Sequence, residues 1–168
     1  MEALFLMCPQ NSYFHPSGSV YMGEKAEVLK IRLFDYLARY GGMKIFFREK
    51  HVVADGFFVN DKTHSVVNTF DFLVLDEFKR YASVYYDKNR YSGFFDTGLD
   101  ALVKKEKISS VVLMGVETHT SVLFTAEELR NRSIDVSVIE PLTASRDDFM
   151  HSTAISVMNN FLGVRING

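Results

Sequence analysis

A single cysteine, Cys8, is all that 168 residues offer. An intrachain disulfide framework is thereby excluded, and a reducing compartment is expected. Charge of either sign is equally scarce in excess: 19 Lys and Arg stand against 21 Asp and Glu, a net −2. No overall positive field exists to draw a polyanion, so nucleic acid is not expected as a partner. No apolar run approaches the roughly 18 residues that a membrane helix needs, and no membrane partner is expected. The apolar residues 3–7 lack the basic flank and the length of a signal peptide. Internal repeats, low-complexity tracts and linkers are also missing from the sequence. These absences lead to the expectation of a cytoplasmic protein with one domain over residues 1–168.

What the chain does contain is apolar and aromatic surface: 47% apolar residues, with 15 Phe and 8 Tyr. That is enough to build a core and is unlike a disordered chain. Short apolar runs at 3–7, 43–47, 83–86, 110–114, 136–139 and 164–166 read as strands. The first is continuously apolar, as a strand covered on both faces should be. Helical periodicity predicts helices over 24–40, 95–104, 118–131 and 147–161, the first ended by Gly41 and Gly42. Strands alternating with helices imply an α/β fold: a doubly wound, three-layer α/β/α domain on a six-stranded, mostly parallel sheet. Ligands bind such sheets beyond the carboxyl ends of the strands. The residues standing there are Cys8, Glu49 with His51, Lys88, and the stretch from Gly115 to Ser121.

Three segments carry a family likeness. They are C-P-Q-N-S-Y-F at 8–14, K-N-R-Y-S-G-F at 88–94, and G-V-E-T-H-T-S-V at 115–122, continued by Thr125 and Ala126. The chain resembles the isochorismatase-like cysteine hydrolases, a superfamily that includes nicotinamidases and N-carbamoylsarcosine amidohydrolases. The family patterns are D-x-Q-N-D-F, K-x-x-x-S-A-F and G-V-x-T-x-x-C-V. The resemblance covers nearly the whole chain and implies strand order 3-2-1-4-5-6. It also implies a lysine at Lys88, a cis peptide between Val116 and Glu117, and a site shared by residues 8, 88 and 121. Members use an aspartate, a lysine and a nucleophilic cysteine. Here Cys8 takes the aspartate's place and Ser121 the nucleophile's.

That exchange matters chemically. A carboxylate can take a thiol's proton while a lysine favours the thiolate, whereas a serine hydroxyl is far less acidic and a thiol is a poor base for it. Two readings follow. In the first, the fold and pocket persist for binding or structure and the hydrolytic set is lost. In the second, Lys88 with Cys8 or Ser121 hydrolyses an amide, imide or vinyl ether. The backbone from Glu117 to Ser121, with Thr118 as helix cap, would then receive the oxyanion. Cys8, facing Ser121 beside Lys88, is expected to have a lowered pKa. Gln10, Phe14, Tyr91 and His119 are expected to line the pocket around an unidentified small molecule.

Glu49-x-His51 falls where nicotinamidase-type members carry an Asp-x-His metal pair. Two ligands are too few for a site, and the only third, His64, lies in a stretch unlike the family's. A solvated glutamate and a loop histidine are therefore expected, with no metal and no cofactor. The many Phe and Tyr near loops lead to the expectation of a homo-oligomer, a dimer or tetramer.

Overall fold

The computed structural model describes residues 1–58 and 61–168. Six strands form one sheet: β1 Glu2–Met7, β2 Met43–Glu49, β3 Val84–Lys88, β4 Ser110–Val116, β5 Asp135–Ala144 and β6 Arg165–Asn167. Their spatial order is β3-β2-β1-β4-β5-β6, and all five neighbouring pairs run parallel. The helices are α1 Asn11–Phe14, α2 Glu24–Arg39, α3 Asp76–Lys79, α4 Leu99–Lys105, α5 Leu123–Asn131 and α6 Asp148–Asn160. None of them is long and apolar enough to cross a membrane.

β1 lies at the centre because it can: Ala3 to Met7 are fully buried, leaving no polar side to face water. Its neighbour β4 is equally apolar, and α2 covers the sheet with Ala26, Leu29, Leu33 and Leu37. Where the two central strands end, Met7 pairs with Gly115. Gly115 has φ 106°, and a Cβ there would stand 2.2 Å from the Met7 carbonyl oxygen, so only glycine permits this close approach.

Several boundaries differ from the periodicity. The helix expected from residue 95 begins at Leu99, because Asp96 and Gly98 hold positive φ. β5 runs on through Pro141 to Ala144, its register against β4 shifting between Leu113 and Gly115. The apolar residues Met150, Ala154, Val157, Met158 and Phe161 recur along the last helix, and they are only half covered. Ala154 and Met158 are buried, while Met150 and Phe161 are exposed at the ends of α6.

Candidate functional site

Four strand ends deliver the site. Cys8 follows β1 and holds φ 50°, a left-handed conformation uncommon for a side-chain-bearing residue. Glu49 and Lys88 close β2 and β3 and are paired in register. Ser121 follows β4 in a π-helical turn, Thr118–Val122, that feeds α5. The peptide between Val116 and Glu117, just before that turn, is cis.

The three expected positions meet. Lys88 Nζ donates to Ser121 Oγ at 2.9 Å, and Cys8 Sγ donates to the same oxygen at 3.5 Å. Glu49 completes the group. Its Oε1 accepts from Lys88 Nζ at 3.2 Å and from Ser121 Oγ at 3.3 Å. Its Oε2 lies 2.8 Å from the Tyr13 hydroxyl and 3.0 Å from His64 Nε2. Cys8, Lys88, Ser121 and Glu49 are all buried. The solvated glutamate expected from sequence is thus corrected: a carboxylate on the last residue of an interior strand has nowhere to point but into the site.

Burial sets the electrostatics. It would push the Glu49 carboxyl up, but Lys88, His64 and His51 outweigh it and hold the group well below the usual carboxylate range. Burial would pull the Lys88 ammonium down, but Cys8 and Glu49 raise it above its ordinary value. The Cys8 thiol behaves oppositely to expectation. Burial, with Glu49 adding to it, overcomes Lys88 and pushes it up to about 12. Lys88 still favours the thiolate, but its effect is smaller than that of burial and Glu49 together.

A cavity of about 290 Å³ opens beside this group. Tyr91 and His119 are on its wall, together with Tyr13, Phe57, Phe58 and Glu49. Gln10 and Phe14 are not. Gln10 is buried and ties the ends of β1 and β2 together, accepting from the Glu49 backbone N–H at 2.6 Å and donating to the Glu49 carbonyl at 2.9 Å. Phe14 packs edge-on against Phe78 in the core. Cys8, Lys88 and Ser121 lie behind Glu49, off the cavity wall. The expected Thr118 cap is also corrected, since its hydroxyl pairs with His151 Nδ1 at 2.8 Å and Glu117 holds the cap position. The amides of Thr120 and Val122 are taken by the Glu117 carbonyl, and that of His119 by Ser145 Oγ.

The structure gathers a third ligand after all. Donor atoms of Glu49, His51 and His64, all buried, lie within 4.8 Å of one another. Ser65 anchors this loop, bonding Ser12 Oγ at 2.8 Å through its hydroxyl and accepting from the His51 N–H through its carbonyl. His64 Nδ1 sits 2.7 Å from the Lys62 carbonyl, and His51 Nδ1 sits 3.2 Å from Asp55. Both Nε2 atoms are thereby left to face the cluster. Two imidazoles and one carboxylate with such backing fit a zinc-like divalent cation with an open position. Burial chiefly lowers the pKa of His51, while the Glu49 carboxylate overcomes burial to raise that of His64.

Sequence reasoning missed Arg146 altogether. It reaches the Glu117 carboxylate at 2.9 Å and Asp61 at 2.7 Å, closing one side of the cavity. No local motif marks it, because its partners are 29 and 85 positions away.

The family model described as isochorismatase domain matches residues 2–167. Among solved structures, a nicotinamidase/pyrazinamidase, PncA, from Bacillus subtilis superposes with TM-score 0.86 at 23% identity, covering 99% of each chain. An N-carbamoylsarcosine amidase from Thermoplasma acidophilum gives 0.85 at 23%, covering 99% of this chain and 95% of that one. A Pyrococcus horikoshii pyrazinamidase in complex with zinc gives 0.85 at 21%, covering 98% and 97%. At the level of sequence, an isochorismatase family protein named PncA of Bacillus subtilis is 33% identical over 85 residues, 50% of this chain and 46% of that relative. The chain thus spans about half the length of the curated relatives it matches.

Proposed function

Because the chain belongs to the isochorismatase family, we propose that it keeps the family pocket as a small-molecule binding site and has lost the family's hydrolysis. The carrying observation is the state of Ser121 Oγ. It accepts from Lys88 Nζ at 2.9 Å and Cys8 Sγ at 3.5 Å, and donates to Glu49 Oε1 at 3.3 Å. A hydroxyl has one proton and two lone pairs, so all of its capacity is engaged. Attack on a carbonyl needs a free lone pair and a path, and Ser121 is fully buried behind Glu49. Cys8 is no substitute, since a thiol pushed up to about 12 stays protonated at neutral pH.

The cavity favours a flat ligand bearing a nitrogen or oxygen lone pair. Phe57 and Tyr91 meet edge to face at 4.7 Å between ring centroids and form an apolar wall. Glu49, His51 and His64, with the His51 ring stacked 6.2 Å from Phe57, are the residues that would hold a divalent cation. Such a cation supplies a Lewis acid for a ligand's lone pair. The relatives' names as nicotinamidase, pyrazinamidase and amidase support a heteroaromatic or small amide as the ligand class. One reduced cysteine fits a cytoplasmic setting.

The test is ammonia release from nicotinamide, pyrazinamide and N-carbamoylsarcosine, alongside ligand-observed NMR binding. We expect saturable binding and no protein-dependent ammonia. Tyr91→Ala should weaken binding about three- to tenfold, the scale of one aromatic contact. A wild-type rate abolished in Lys88→Ala would overturn the proposal and establish the hydrolase reading.

A further inference from the structure

Among the described residues, Glu49 is the one side chain that belongs both to the histidine cluster and to the buried group around Ser121. Each of its oxygens has its own pair of partners. Oε2 meets Tyr13 and His64 on the cavity side, while Oε1 meets Lys88 and Ser121 behind it. Among the described residues Glu49 is the only carboxylate in ion-pair contact with Lys88. The ammonium's remaining acceptors, Ser121 Oγ and the Arg90 carbonyl, are neutral. We propose that Glu49 is a shared carboxylate, coupling a divalent cation held with His51 and His64 to the buried Lys88–Ser121 pair, so that each side weakens the other's hold on it.

The physical basis is competition for one negative charge. A cation at Oε2 draws on the same delocalised charge that neutralises Lys88 at Oε1. The ammonium stands 3.2 Å from that carboxylate in a dry interior, where charges are poorly screened. Lys88 therefore opposes cation binding directly, and the Ser121 hydroxyl opposes it weakly by polarising the same oxygen. By linkage, a bound cation loosens Glu49 from Lys88 and Ser121 by an equal factor. Lys88 and Ser121 thus act on the cation site through Glu49 and are positioning residues for it. This rests on the pocket's role as a binding site, and it assigns that pocket a regulating partner in the wall behind it.

Cobalt(II) provides a readout independent of activity, through its visible absorption in an imidazole and carboxylate site. Affinity should be measured by titration against a competing chelator for the wild type, Lys88→Met, Ser121→Ala and Glu49→Gln. Lys88→Met should bind about tenfold more tightly, within the roughly 5–150-fold range of ordinary coupling. Ser121→Ala should gain about two- to threefold, and Glu49→Gln should lose at least about a hundredfold. Lys88→Met leaves a buried carboxylate unpaired and could fail to fold. Ser121→Ala deletes one hydroxyl only and keeps the test decisive in that event. Equal cobalt affinity in the wild type, Lys88→Met and Ser121→Ala would overturn the coupling while leaving the binding pocket intact. Absence of cobalt binding, or binding indifferent to Glu49→Gln, would overturn it as well. Ammonia release tests the loss of hydrolysis separately, so the two failures are distinguishable.

Discussion

Burial pushes the Cys8 thiol up to about 12, with Glu49 adding to the rise and Lys88 opposing it. The chain's only cysteine, at first sight its most reactive group, is therefore held as the protonated thiol at neutral pH. Iodoacetamide should leave Cys8 unmodified between pH 5 and 9 in native protein and modify it fully in urea, as mass spectrometry would show. Labelling of native protein with a midpoint below the free-thiol value of about 8.5 would contradict this. The shift also carries a stability consequence. A group whose folded pKa lies above its unfolded one contributes stability below the unfolded value and loses it as pH rises towards the folded one. Stability should thus fall between about pH 9 and 12, less steeply in Cys8→Ala. The motif at residues 8–14 locates Cys8 in the site, but its ionisation follows first from burial in the folded core and then from Glu49, which is 41 positions further along the chain.

Among the elements, the junction of β1 and β4 bears the tightest constraint. Gly115 pairs with Met7 where both strands turn into the site, and its φ is 106°. Gly115→Ala would drive a methyl group to 2.2 Å from the Met7 carbonyl oxygen. The two central strands would have to part there, costing their last ladder bonds in addition to the backbone strain. We expect a loss of about 3 kcal/mol or more, read as a lower urea midpoint with unchanged slope. A midpoint within experimental scatter of the wild type would show that the strand ends are more pliable than their packing implies. The expected helix after β4 is present, but its first turn is π-helical, and the amides of His119, Thr120 and Val122 are taken by Ser145 Oγ and the Glu117 carbonyl. Spacing marks where a helix begins; it does not tell which of its amides remain free.

At the scale of the whole molecule, part of the apolar surface stays exposed. Phe149 and Phe161 are 76% and 83% exposed at the two ends of α6, and Ile31 on α2 is 69% exposed. Single exposed residues need no explanation, but large aromatics left uncovered on a chain with so small a net charge favour association. We propose that the chain forms a dimer or tetramer. Light scattering at micromolar concentration should return a mass at least twice 19.2 kDa, and Phe149→Ser with Phe161→Ser should lower it. A particle of monomer mass for the unaltered chain would refute the proposal.

The sequence by itself determined the architecture. Apolar runs separated by helical periods admit few arrangements other than a doubly wound sheet, and the three motifs at 8–14, 88–94 and 115–122 carry the strand order and the meeting of Cys8, Lys88 and Ser121. These are local signals, written within a few residues of the strand ends they describe. Only the tertiary structure decided what that meeting can do. Glu49 reads in sequence as a solvated residue after a strand, yet β2 ends beside β1 and β3 and aims its carboxylate between Lys88 and Ser121. His64 reads as a stray histidine until Ser12 and Ser65 fix its loop against α1. Arg146 carries no local signal, and its partners are Asp61 and Glu117. Charges, lone pairs and ligand atoms act over a few ångströms of space, whatever their separation along the chain, and burial multiplies their effect. The chemistry of this site is therefore a property of the folded chain.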